Sequence, residues 1–134
     1  MSHIATIKLR IDNLPALARA CKRLGLELMQ GQASMKSFQD GLKCEHAIRH
    51  SGNMSAYEVG LVKSKDGGYE MVYDNFDYHL TINSIAHVAG DGLEKIRQLY
   101  AAEVAANQAS IDGWCNVQIN FNEQGLPIVT GVMA

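Results

Sequence analysis

Cys44, His46 and His50 fall within seven residues, and thiolate and imidazole are the ligands zinc prefers. On a helix the two histidines would share a face. CEHAIRH instead reads as an alternating strand, where all three share a face but His50 lies roughly 13 Å from His46. That is too far for both to hold one ion, and no fourth ligand is near in sequence. The spacing therefore favours surface or half-buried histidines, and no metal site is assigned. A second grouping is Asp74, Asp77 and His79. A carboxylate beside an imidazole can act as a general base or bind a divalent ion. Aspartates in an irregular connector also satisfy turn backbone groups. The G-x-S-x-G elbow and both glycine-rich phosphate motifs are absent from the sequence. No catalytic residue and no cofactor is assigned.

Binding is the more attractive chemistry. Residues 3–11 alternate, with Ala5, Ile7, Leu9 and Ile11 on one side and Thr6, Lys8 and Arg10 on the other. If the fold brings Tyr57, Lys63 or Lys65 beside that polar side, a pocket with cationic donors and aromatic walls results. Such a pocket suits an anionic, base-containing small molecule such as a nucleotide. The candidate ligand-binding residues are His3, Thr6, Lys8, Arg10, Tyr57, Lys63 and Tyr69. The alternative is a solvated sheet face. Aromatics on a sheet can also stack bases. Against nucleic acid stand the net charge of −2 and the lack of an RNP-like aromatic run.

The elements that would position these residues can be read in order. The first strand, residues 3–11, leads to a helix that Asp12 or Asn13 can cap, with Pro15 in its first turn. Leu14, Leu17, Cys21 and Leu24 form its apolar stripe, and Gly25 suits its end. Leu26 to Met29 is a short strand, 30–44 reads as a long loop, and Cys44 to His50 as another strand.

Residues 56–74 carry the strongest hairpin signal: two alternating runs about Lys65-Asp66-Gly67-Gly68. Both faces of that hairpin hold apolar residues, so the sheet is expected to be covered on both sides or to form an oligomer interface on one. An acidic-aromatic connector, 74–83, precedes a helical turn at 84–90. A second helix runs from Gly92 to Ser110, with Asp91 as its cap. Leu93, Ile96, Tyr100, Val104 and Ile111 form its stripe.

Asn116 to Val132 is a second hairpin, with Val117, Ile119 and Phe121 facing in and Pro127 expected at an edge or a strand start. Trp114 reads as a core anchor closing the second helix onto the sheet, with an interface or ligand wall as the alternative. The pattern predicts one α+β domain over residues 1–134. It is a mostly antiparallel sheet packed by two main helices, with ferredoxin-like split β-α-β character.

Composition sets the outer limits. A chain of 134 residues with 47% hydrophobic and 19% charged residues can fill a single core. No apolar run approaches the roughly 18 residues of a membrane span. The N-terminus MSHIATIKLR lacks a signal-peptide stretch, so a cytoplasmic location is expected. The three cysteines, Cys21, Cys44 and Cys115, are expected to be free thiols, at least two of them in the core.

Several of these residues together resemble one known family. They are Met1-Ser2-His3, Thr6-Ile7-Lys8, the Tyr57-Glu58-Val59-Gly60 and Tyr69-Glu70 strands, Leu99-Tyr100-Ala101, and a final hairpin with an Asn-x-x-Gly turn. The family is named after the plastid reading frame Ycf-thirty-five and is also catalogued as domain of unknown function twelve fifty-seven. It occurs in plastids, cyanobacteria, other bacteria and phages. The resemblance implies no established activity and transfers no catalytic residue. Residues 30–55 and 75–90 depart from the plastid-type pattern. The leading expectation is a non-enzymatic protein binding a small anionic, nucleotide-like ligand, as a homo-oligomer without membrane contact. In a phage it would sequester a host nucleotide signal. The alternatives are a protein-interaction subunit of an oligomeric assembly and a small hydrolase using Asp74, Asp77 and His79.

Overall fold

The structure is a computed structural model that describes residues 4–37, 42–52, 57–74 and 85–133. His3, Asp77, His79 and most of the connector lie outside the described residues. The chain runs β1 (Ile4–Ile11), α1 (Leu14–Arg23), β2 (Leu26–Gln30), β3 (Ser34–Met35), β4 (Leu42–Lys43), β5 (His46–His50), β6 (Val59–Lys63) and β7 (Tyr69–Asp74). It continues with α2 (Ile85–Ala89), α3 (Glu94–Ile111), β8 (Trp114–Phe121) and β9 (Pro127–Met133).

Five strands form the main sheet in the order β1-β7-β6-β5-β2, with every neighbouring pair antiparallel. It follows that β1 and β2 run parallel at opposite edges. Helix α1 crosses between them, and the meander β5-β6-β7 fills the split. This is the α+β, mostly antiparallel architecture read from the sequence.

Helix α1 starts where Asn13 Oδ1 accepts the Ala16 N–H at 3.0 Å. Its buried residues Ala16, Leu17, Ala20 and Cys21 face a core that includes Ile48, Leu61, Met71, Ile96 and Tyr100. The Tyr100 hydroxyl of α3 accepts the N–H groups of Asp12 and Asn13, each at 3.2 Å. One side chain thus ties α3 to the end of β1 and the start of α1.

Three expectations need correction. The stretch 30–44 is not a plain loop: β3 and β4 pair as an arm in which Met35, Cys44 and Ala47 make a second small core, with Leu42 and Val62 packed against it. Gly60 permits that arm. A Cβ at Gly60 would lie 2.6 Å from Met35 Sδ and 3.2 Å from Cys44 Cβ. The expected Asp91 cap is also replaced. A 3₁₀ turn, Asp91–Leu93, leads into α3, whose cap position is Leu93 at φ 55°, without a side-chain cap bond.

The last hairpin does not join the main sheet. Strands β8 and β9 form a separate two-stranded sheet against α3. Trp114 is therefore no core anchor, at 39% exposed. Phe121 (51%) and Ile111 (68%) are likewise not buried. Their expected burial needed a second layer that the described residues do not supply.

Tyr100→Phe keeps the ring and removes the hydroxyl contacts, so chemical denaturation is expected to show a loss of about 1 kcal/mol. Gly60→Ala is expected to cost about 1–2 kcal/mol by displacing the arm. Combining it with Met35→Ala should cost about 1 kcal/mol less than the sum of the single changes, which a double-mutant cycle reads directly.

Candidate functional site

The face of the main sheet away from the helices is only partly covered by the β3–β4 arm. Beside that arm lies a groove of about 590 Å³. Its lining is Thr6 of β1, Val72 and Glu70 of β7, Val62 and Lys63 of β6, and Ser64, Lys65 and Asp66 of the following turn. Register explains the grouping. Thr6 pairs with Val72, Val72 with Gly60, and Glu70 with Val62. Strand pleating then puts these side chains on one face.

The β1–β7 ladder is irregular at this end. Pairing jumps from Ile7↔Met71 to Ile11↔Tyr69, so four residues of β1 span two of β7. Arg10 folds across Gly68, where a Cβ would lie 2.7 Å from Arg10 Cγ and 3.1 Å from Ile11 O. Glycine at 68 is what allows that approach. The Arg10 guanidinium lies 3.7 Å from the exposed Asp12 carboxylate.

Thr6 and Lys63 of the expected site therefore meet in one groove, and Lys65 joins them. Lys8 belongs to β1, but its side chain is outside the described residues. Tyr57 is half-buried just before β6 and is not part of the lining. Tyr69 has the opposite pleat. It packs against the helix-side core, with its ring edge-on to His46 at 5.0 Å. Two lysines, two acidic residues, two hydroxyl residues and two valines line the groove, with Lys63 at the strand end on the pleat of its partner Tyr69.

The cysteine–histidine grouping has other work. His46 Nδ1 accepts the Gly31 N–H at 2.9 Å, and His50 Nδ1 accepts the Gly52 N–H at 3.0 Å. The Cys44 thiol donates to the Gln32 carbonyl at 3.2 Å. Burial, then the charges of Glu58 and Glu45, push that thiol up to about 11. Burial alone pushes Cys21 up to about 12. The three cysteines are free; Cys21 and Cys44 are buried and Cys115 is exposed. Asp74 is buried at the end of β7, paired with Ile4. Among the described residues no group of acidic, histidine or cysteine side chains could hold a metal ion. No helix there is long and apolar enough to cross a membrane.

Sequence reasoning missed one charged cluster. Glu103 of α3 is buried, and Arg19 and Arg23 of α1 donate to its two oxygens at 2.9 and 2.7 Å. The four-residue spacing of the arginines, which puts both on one helix face, was the available signal. No family model matches the chain, and no curated protein or solved structure matches it.

Burial pushes the Glu103 carboxyl up, but the hydrogen bonds and charges of Arg23 and Arg19 outweigh it and hold the group below the ordinary carboxylate range. A lowered folded value means stabilisation that is complete above the unfolded value of about 4.3 and lost as pH falls through the folded one. Glu103→Gln is expected to cost about 1–2 kcal/mol at neutral pH. It should also flatten the loss of stability seen in denaturation curves between pH 7 and about pH 3.

Proposed function

We propose that this chain is a cytoplasmic binding protein that holds a small anionic, nucleotide-like ligand in the groove on the open sheet face. The observation that carries this reading is the convergence of Thr6, Ser64, Lys63 and Lys65 on one groove of about 590 Å³, within the usual range for ligand sites. The lysines suit phosphate oxygens as point charges. Glu70 and Asp66 suit sugar hydroxyls or base N–H groups, and Val62 and Val72 give a flat apolar floor for a base. Binding without turnover fits a chain with no catalytic motif. In a phage or bacterial setting it would sequester a nucleotide signal. Membership of the Ycf-thirty-five-like family belongs to the same proposal and adds no catalytic residue to it.

A second reading, a protein-interaction subunit of an oligomeric assembly, is favoured by the exposed apolar side chains of the β8–β9 hairpin.

Thermal unfolding against a panel of mono-, di- and cyclic nucleotides tests the first reading. A bound nucleotide at about 100 times its dissociation constant is expected to add about 2.7 kcal/mol. Lys63→Ala and Lys65→Ala should weaken binding about tenfold each, and raised salt should weaken it further. No shift with any nucleotide would count decisively against a ligand of this class.

A further inference from the structure

We propose that the β8–β9 hairpin is the surface on which a second copy of this chain docks, hairpin against hairpin about a two-fold axis. The inference rests on the interaction reading and names its partner and its surface.

The first support is exposure. Of the large hydrophobic side chains left exposed, Trp114, Phe121, Leu126, Ile128, Val132 and Met133 all belong to this hairpin. At 39–60% exposure each, they stand on both faces and at the turn of the ribbon, since Trp114 pairs with Met133 and Cys115 with Val132. A stable interface removes about 800 Å² per partner, so a dimer would add the free edge and the uncharged polar side chains of the ribbon to the face that holds Ile128 and Val132. The hairpin is also loosely seated on its own domain. A groove of about 360 Å³ separates its turn end, at Phe121 and Pro127, from Leu24 and Leu99. Another, of about 390 Å³, lies near Trp114 at its far end.

The second support is charge. Glu123, in the turn, is the single charged residue between Trp114 and Met133, whereas 19% of the whole chain is charged. Charge depletion with enrichment in aromatics and methionine marks interface cores. A strongly acidic or basic partner would find nothing here to complement. A copy of the same surface meets it without repulsion, as an isologous two-fold contact requires.

The third support is the open edge. Each strand of a two-stranded sheet has one unpaired edge, and natural proteins guard such edges with lysine, proline or bulges. In β8 a register shift between Cys115 and Gln118 includes Asn116 at φ 52°, which disturbs that strand. In β9 the only guard is Pro127 at its first residue, and Ile128 to Met133 carry neither charge nor register shift. A two-stranded ribbon is marginal alone, and a second copy would extend or cover it.

Light scattering on the full chain tests this. From low to high micromolar concentration the wild type is expected to move to twice its 14.7 kDa chain mass. Ile128→Lys with Val132→Lys should stay monomeric, and so should Ile128→Glu with Val132→Glu. Mixing the two variants should restore the dimer mass, because opposite charges then meet across the hairpins. Should the variants fail to fold, the wild type still decides. Its β8–β9 amide exchange and its Cys115 alkylation should both slow as concentration rises.

A dimer that survives both charged variants overturns the hairpin as the surface. A wild type monomeric at high micromolar overturns the second copy as the partner. In that monomer, an apolar dye that binds the wild type but not the lysine variant would leave the interaction reading standing. A monomer that binds no dye overturns both.

Discussion

Glu103 is a carboxylate buried between two helices, and a buried charge is tolerable only with partners in hydrogen-bond reach. Arg19 and Arg23 provide them from successive turns of α1, at 2.9 and 2.7 Å. Their outer parts stay solvated, so the pair of arginines is not itself buried at great cost. This contact sets which face of α3 meets α1. Tyr100, three residues earlier on α3, lies on the same face and binds the backbone at the start of α1. Sliding or rotating α3 would strand the carboxylate and release the hydroxyl contacts together.

Once α3 is seated this way, its other faces are what remain for the C-terminal hairpin. They are made of small side chains such as Ala105 and Ala109, near Trp114 and Val129. Small residues let strands approach but offer little apolar area to bury. The hairpin is therefore attached along one face only, and its aromatics, Leu126, Ile128 and the last two apolar residues stay in solvent. The same logic governs the far side of the main sheet. Gly60 creates the space in which Met35 lies, and the arm it anchors covers part of that face. The uncovered remainder, beside the irregular β1–β7 ladder, is the groove that gathers Thr6, Lys63 and Lys65.

Part of this site was legible in advance. Alternation put Thr6 on the side of β1 opposite Ile7 and Ile11, and the hairpin signal of residues 56–74 put Lys63 and Lys65 at a strand end and turn. Tyr69 was not separable from them, because alternation tells which residues share a face but not which face the helices will cover. In the structure that face is the one holding Met71 and Tyr73, so Tyr69 points toward the helices and His46. The histidines and Cys44 posed a similar problem. Their spacing left metal binding open, and only folded backbone showed the N–H groups and carbonyl that they bind.

Local order and periodicity by themselves determined the type of the main elements, the start of α1, the first hairpin and the burial of Cys21. These follow from interactions between residues a few positions apart, which a sequence states directly. Tertiary structure alone decided that β1 and β2 sit at opposite edges, that β3 and β4 pair as an arm, and that the last hairpin stands apart from the sheet. Each depends on contacts between segments tens of residues apart. Glu103 with Arg19, 84 positions away, is the clearest case. Trp114 shows the limit from the other side: an apolar residue asks to be covered, and the sequence does not say whether its own chain will do it.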